Sequence, residues 1–128
     1  MKKWERAINI CIQLAENNTA KFRLGSVALD KKGVICSIGV NSTKSHPMMA
    51  ALAKEYGHKD QIGLHAECES ILRSKVEIHS LVVVRLLKNG KIANAAPCPI
   101  CSELIRRHKI KNVIYSNSFE NYTWEKRA

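Results

Sequence analysis

The feature that most constrains the fold is an apolar run of four residues, Leu-Val-Val-Val, at positions 81–84. A short run of branched apolar residues, followed by an Asn89-Gly90 turn signal, predicts a buried strand. Amphipathic stretches typical of helices lie on either side of it, at 65–74 and 98–108. Strand-helix-strand order of this kind predicts a partly parallel sheet with helices covering both faces.

The remaining segments fit the same architecture. Apolar residues recur at helical spacing in 4–17, two β-rich runs flank the turn at 30–33, and residues 112–117 predict another strand. We interpret 42–47 as loop, with Pro47 starting a short helix through 48–57, and the tail 118–128 as a short helix or a lid. The predicted fold class is a three-layer α-β-α fold around a mixed sheet of about five strands, with residues 1–128 forming a single domain.

Composition excludes several classes of protein. A chain of 128 residues, 45% hydrophobic and 25% charged, has the composition of a folded soluble domain. No apolar stretch approaches the roughly 20 residues of a membrane helix, and Glu5 and Arg6 interrupt any signal-peptide run. The five cysteines are odd in number and irregularly spaced, which argues against a secreted disulfide framework. We therefore expect a cytoplasmic protein with no membrane partner.

One pair of cysteines has the spacing of a metal or redox motif. Cys98 and Cys101 form a C-x-x-C pair, which alone fits a redox dithiol, half of a zinc site or coincidence. A structural zinc finger would need a second such pair or a pair of histidines, and neither partner motif is present. The sequence offers instead His65, at the start of the other predicted helix. Three protein ligands are typical of catalytic zinc, which keeps a fourth position open.

A glutamate close to His65 completes the set. His65 and Glu67 lie two positions apart, so they do not share a helix face. We expect His65 to point at the metal, and Glu67 to point at the nucleophilic water and the substrate. A carboxylate that carries protons must be near the metal without binding it. Glu67 is therefore the candidate catalytic residue, passing the proton of the water to a ring nitrogen and later protonating a leaving amine.

The motifs H-A-E at 65–67 and P-C-P-I-C at 97–101 resemble the signature of the zinc-dependent cytidine/deoxycytidylate deaminase superfamily. The order of predicted elements agrees with that likeness, as does Ser-Ile-Gly-Val-Asn at the end of the second strand. The resemblance implies a cytidine-deaminase-like fold, a Zn²⁺ cofactor and a homo-oligomer. It also implies that Asn41 contacts the sugar and Ala66 the base of a substrate, and that Pro97 shapes the pocket.

The chain also departs from members of that superfamily. It lacks an obvious second, structural zinc set of the deoxycytidylate enzymes. Its insert at 42–63 differs from the compact tRNA-adenosine deaminase pattern. The resemblance alone therefore leaves the substrate open.

The net charge of +10 attracts anions at long range, and it suits both a phosphorylated small molecule and a nucleic acid. Lys44, on the loop after Asn41, is a candidate phosphate contact. The favoured reaction is hydrolytic deamination of a cytosine nucleotide or nucleoside, most of all one like deoxycytidylate.

Two alternatives stay open. A deaminase acting on a base within tRNA or single-stranded DNA would need a continuous basic groove across the pocket mouth. A catalytically silent binding module would keep zinc as a structural staple, and it would have no need of Glu67.

Overall fold

The computed structural model describes residues 2–19, 22–45, 51, 54–55 and 63–127. A 3₁₀ turn (Lys2–Trp4) leads into helix α1 (Glu5–Glu16), which is followed by strands β1 (Arg23–Leu29) and β2 (Ile35–Val40). Strands β3 (Ser42–Ser45) and β4 (Gly63–Leu64) precede helix α2 (Ala66–Arg73). The later elements are β5 (Ser80–Leu86), β6 (Ile92–Ala93), α3 (Pro99–Arg107), β7 (Asn112–Ser116) and β8 (Tyr122–Lys126).

Within the described parts of the chain, six strands form one mixed sheet. The order is β2-β1-β5-β7-β8, and the short β6 pairs with the end of β5. Strands β5 and β7 run parallel, and the other neighbours in this sheet run antiparallel. Helix α3 lies between β5 and β7 in the chain, because parallel strands need a crossover connection. The α/β fold with a partly parallel sheet is confirmed.

The apolar run 81–84 forms the centre of β5, between β1 and β7. Leu81 and Val83 belong to a buried cluster that includes residues of α2 and α3, whereas Val82 and Val84 belong to a second cluster with α1. Because both faces of the strand are covered, apolar residues continue without alternation. Each fully buried side chain of this size stabilises the fold by about 1.5–3 kcal/mol. The sheet therefore lies between α1 on one face and α2 with α3 on the other.

The prediction for the C-terminal tail is wrong. It forms β8, which pairs antiparallel with β7, instead of a short helix or a lid. Trp124 of this strand packs edge-on against Trp4, with 5.2 Å between the ring centroids. The Trp124 indole Nε1 also donates to Asn112 Oδ1 at 2.9 Å. Tyr, Thr and Trp favour strands, and here this preference is reinforced by pairing with β7.

The loop prediction for 42–47 is wrong over its first four residues, because 42–45 form β3, which pairs antiparallel with β4. The sequence Ser-Thr-Lys-Ser has no apolar alternation, so backbone pairing between the two ends of the insert left no signal. Of the helix predicted from Pro47 through 48–57, the structure describes Ala51, Lys54 and Glu55, which are helical; the rest lies outside the described residues. Among the helices that the structure describes, none has the length and apolar character to cross a bilayer.

Helix α2 lies unusually close to the sheet because of a glycine in β2. A Cβ atom at Gly39 would lie 2.4 Å from the carbonyl oxygen of Ala66 and 2.6 Å from the backbone nitrogen of Ser70. Ser70 also bonds to the sheet, with 2.8 Å between its hydroxyl and that of Ser26. The same hydroxyl donates to the carbonyl oxygen of Glu67 at 2.9 Å. These contacts fix the first turns of α2 against the sheet.

Candidate metal centre and active site

The side chains of His65, Cys98 and Cys101 meet at the N-terminal ends of α2 and α3, with their ligand atoms all within 4.8 Å of one another. His65 Nδ1 lies 3.2 Å from Cys101 Sγ and 3.5 Å from Cys98 Sγ. Cys98 caps α3, where its sulfur accepts from the backbone N–H of Cys101 at 3.5 Å. Pro99 occupies the first turn of α3, where a missing N–H is tolerated. The two helix starts thus bring three potential ligands together.

The charges within this cluster favour a bound cation. Hydrogen bonds with Cys101 and His65 lower the pKa of Cys98 to about 4. The neighbouring sulfurs of Cys68 and Cys98 raise the pKa of Cys101, and the contact with Cys98 raises the pKa of His65. Without a metal, the cluster therefore favours Cys98 as a thiolate and Cys101 as a protonated thiol. A divalent cation would stabilise both thiolates, and one nitrogen with two sulfurs is a donor set that suits zinc.

A further sulfur, that of Cys68, contacts one member of this cluster. Cys68 Sγ is 2.8 Å from Cys101 Sγ, and the residue is fully buried in the core shared by α2, α3 and the sheet. Among the described residues, the donor atoms that lie within 4.8 Å of one another are those of His65, Cys98 and Cys101, without Cys68. The sequence gives no signal of the contact between Cys68 and Cys101.

Glu67 lies in the first turn of α2, beside the donor set but not part of it. Its side chain is only 4% exposed, and this burial raises the pKa of its carboxyl group above the ordinary value. Glu67 lines a cavity of about 310 Å³ together with His65 and Cys98. The structure therefore places a buried carboxyl group and two of the three potential metal ligands in the wall of one cavity.

Other parts of the cavity wall come from residues at or next to strand ends, several of which the sequence did not single out. Phe22 and Leu24 contribute from the start of β1, and Arg85 contributes from β5. Neutral residues complete this described part of the wall, namely Asn41, Ala66, Asn94, Ala95 and Ala96. The only sequence signal for Arg85 was that it interrupts the apolar pattern of a central strand.

Asn41 lines the cavity, and its side chain also joins β2 to the start of β1. Its Oδ1 accepts from the backbone N–H of Leu24 at 3.0 Å and from Nδ2 of Asn18 at 2.6 Å. Its Nδ2 donates to the carbonyl oxygen of Phe22 at 2.6 Å. These bonds give Asn41 a structural function at the cavity edge, and its contact with a sugar stays a prediction.

The other predicted substrate contacts occupy different positions. Ala66 is fully buried and lines the cavity. Pro97 is half-buried between the lining residues Ala96 and Cys98, but it is not itself part of the lining. The side chain of Lys44 lies outside the described part of the structure, so its phosphate contact stays a prediction.

A larger cavity, of about 670 Å³, lies at the opposite ends of the same two helices. It is lined by Ser74, which follows α2, and by Arg107 and His108 at the end of α3. Its wall is rich in cations, with Lys31, Lys75, Lys109 and Lys111. His65, Cys98 and Glu67 line the smaller cavity, so the larger cavity is not the one that contains the candidate metal ligands.

The sequence profile that matches residues 1–117 is described as the cytidine and deoxycytidylate deaminase zinc-binding region. The chain belongs to this family. The match includes the stretch from His65 to Cys101, so the three potential zinc ligands lie within the region that the family profile describes as zinc-binding. No curated protein sequence matches the chain significantly.

Solved structures of deaminases share the fold of this family member. Cytidine deaminase from Mycobacterium tuberculosis superposes with a TM-score of 0.57 at 19% identity, covering 88% of this chain and 82% of that one. The dCMP deaminase from the cyanophage S-TIM5 in apo form gives a TM-score of 0.57 at 21% identity, covering 91% and 82%. Its complex with dCMP and dUMP gives 0.55 at 20% identity, covering 91% and 80%. At these identities, the likeness shows the fold.

Burial of Glu67 has a consequence for the stability of the metal-free deaminase chain. Because the pKa of Glu67 is raised in the folded state, keeping this group ionised at pH 7 destabilises folding. At pH 4, most carboxyl groups of the unfolded chain are already protonated, so the penalty is largely absent. We expect Glu67→Gln to raise the urea midpoint of the chelator-treated protein at pH 7, and to change it little at pH 4.

The matched control for this measurement is Glu77→Gln, which removes an exposed carboxylate. It should leave the midpoint nearly unchanged at both pH values. Equal effects of Glu67→Gln at pH 4 and pH 7 would contradict a penalty from the buried charge.

Proposed function

We propose that the protein is a zinc-dependent hydrolytic deaminase that converts a cytosine nucleotide to its uracil form and releases ammonia. The observation that carries this proposal is the position of Glu67, buried in the cavity wall beside a nitrogen-and-two-sulfur donor set to which it does not belong. A purely structural zinc site needs four protein ligands and has no need of such a carboxyl group. Glu67 therefore favours an enzyme over a silent module in which zinc serves only as a staple.

In this proposal, His65, Cys98 and Cys101 hold the zinc ion. Zinc in an open site supplies a Lewis acid that makes a water molecule acidic enough to react near neutral pH. Glu67 would accept one proton of that water on a carboxylate oxygen and transfer it to the ring nitrogen of the base. It would then take the second proton from the same oxygen, which becomes the carbonyl oxygen of the uracil form, and deliver it to the leaving amine. Burial raises the pKa of Glu67 toward the working pH, which suits a group that both accepts and donates protons.

The distribution of charge favours a free nucleotide over a nucleic acid. Among the described residues that line the cavity, Arg85 is the single lysine or arginine. The basic wall of the larger cavity lies at the far ends of α2 and α3. Helix α2 has 8 residues, which span about 12 Å. The basic residues that line the larger cavity therefore lie away from the smaller cavity, whereas a nucleic-acid strand would need such residues at the mouth of the smaller cavity.

The size of the cavity agrees with a small substrate. A volume of about 310 Å³ is near the lower end of the range for small-molecule sites. The similar cyanophage enzyme binds dCMP and dUMP in its structure. Together these observations support a mononucleotide like deoxycytidylate as the substrate.

A substrate panel tests the proposal. Zinc-loaded protein is incubated with cytidine, deoxycytidine, their mono- and triphosphates and a cytosine-containing oligonucleotide, and ammonia release is measured. We expect turnover of the monophosphates, with the oligonucleotide the poorest substrate. If zinc-loaded protein released ammonia from none of them, the deaminase proposal would be overturned. Preferred turnover of the oligonucleotide would instead support the alternative of a nucleic-acid deaminase.

A further inference from the structure

Arg85 occupies an unusual position for a cation, because it lies near the C-terminal end of β5, the central strand of the sheet. Side chains alternate along β5, so Arg85 lies on the same face as Leu81 and Val83, which is the face covered by α2 and α3. Its backbone is fixed, because its N–H donates to Ser116 Oγ at 3.1 Å and it pairs with Leu24 in β1. The half-buried side chain therefore enters the cavity from a rigid strand.

An aromatic ring orients the charged end of this side chain. The guanidinium carbon of Arg85 lies 5.1 Å from the ring centroid of Phe22. Stacking on a ring face holds the planar guanidinium while leaving its N–H groups directed outward at its edges. Phe22 lines the same cavity, so these donors lie at the wall of the site that also contains His65 and Glu67.

The described residues provide no carboxylate partner for this cation. The ion pairs found among them involve Arg73, Arg106, Arg107 and Arg127, and leave Arg85 out. Among the described residues of the cavity wall, the one with a carboxyl group is Glu67, which is buried beside the donor set. An arginine stays ionised at neutral pH, and a partly buried charge is stabilised by a counter-ion.

We propose that Arg85 binds the phosphate group of the substrate and makes the cavity selective for a nucleoside monophosphate over the nucleoside. This inference rests on the proposed function and names the substrate class of that same site. A phosphate monoester offers several oxygens to the guanidinium fork, so that two parallel N–H bonds form. A cytosine nucleoside is uncharged at neutral pH and leaves the cation without a counter-ion.

The test compares Arg85→Gln with the wild-type protein on dCMP and deoxycytidine. Hydrogen bonds to a charged group contribute enough that kcat/KM for dCMP should fall by about 10- to 100-fold, mainly through KM. For deoxycytidine, kcat/KM should change by less than about 3-fold, since no phosphate is present. Arg85→Lys keeps the charge but loses the fork, so it should retain part of the preference.

Controls separate the loss of this contact from a general loss of charge or fold. Arg6→Gln removes a cation from the exposed face of α1, outside the cavity, and should leave both substrates unaffected. Zinc content and melting temperature check that each variant is folded. Independently of any variant, calorimetry with zinc-loaded wild-type protein should show dUMP binding at least about 10-fold more tightly than deoxyuridine.

The outcomes distinguish this inference from the proposed function. If wild-type protein deaminates neither dCMP nor deoxycytidine, the proposed function fails. If Arg85→Gln lowers activity on both equally, or if dUMP and deoxyuridine bind equally well, the deaminase stands and the phosphate contact is wrong. If the variant mainly loses activity on a cytosine-containing oligonucleotide, Arg85 contacts a phosphodiester, which also overturns selectivity for a monophosphate.

Discussion

Glu67→Gln should lower kcat for deamination by about 10³- to 10⁴-fold while the protein keeps its zinc. Glutamine has nearly the same shape and can occupy the same buried position, but it cannot accept a proton from water and return it to a leaving amine. Because the proposed reaction uses Glu67 in both transfers, the loss should lie in the chemical step and KM should change much less. The measurement is ammonia release with dCMP, alongside zinc content by elemental analysis.

The comparison needs a control for the loss of a carboxylate as such. Glu77→Gln removes an exposed carboxylate in the wall of the larger cavity and should keep nearly full activity. A Glu67→Gln protein with unchanged turnover would exclude Glu67 as the proton carrier. Lost zinc together with lost turnover would instead indicate that Glu67 holds the metal, contrary to its position outside the donor set.

The group of candidate metal ligands could be predicted from the sequence, because its members belong to short motifs at the starts of two strongly patterned helices. His65 and Cys98 each lie immediately before a helix, and the strand between the two helices is unmistakably apolar. Both helices cover the same face of the sheet, so their starts are brought together. Spacing and residue type were therefore enough to predict that these side chains meet.

The rest of the cavity could not be predicted, because its wall is assembled by strand pairing. Phe22 and Arg85 are far apart in the chain, and they meet because β1 and β5 are antiparallel neighbours with Leu24 paired to Arg85. A periodic pattern reveals which face of a strand is buried, but it does not reveal which strands are adjacent. The strand in the C-terminal tail was missed for the same reason, since β8 depends on pairing with β7.

The contact between Cys68 and Cys101 raises the question of how many sulfurs bind the metal. If Cys68 were a fourth ligand, no position would remain open, and zinc would be structural. The geometry argues for three ligands, because the donor atoms of His65, Cys98 and Cys101 form the mutual group and Cys68, which contacts Cys101, is outside it. Substituting Cys98, which is inside that group, and Cys68, which is outside it, decides between three ligands and four.

Cys98→Ala should lose zinc and activity, whereas Cys68→Ala should keep both. Changing a residue that only supports a metal ligand typically lowers affinity by about 10- to 100-fold, so removing a ligand should lower it by more than about 100-fold. Cys68→Ala removes a buried contact to the ligand Cys101, so any loss of zinc affinity should stay within that range of about 10- to 100-fold, and the variant should also lose about 1–2 kcal/mol of stability. Competition with a chromophoric chelator measures zinc affinity, and urea unfolding measures stability.

The pair of variants also tests the chemistry of the site. Co²⁺ substituted for zinc reports the number of bound thiolates through its charge-transfer absorption, which should be about the same in Cys68→Ala as in the wild-type protein. If Cys68→Ala lost zinc and that absorption weakened, four side chains would hold the metal and the open position would be absent. The buried carboxyl group of Glu67 would then have no water to act on, and the protein would be a zinc-stapled module instead of an enzyme.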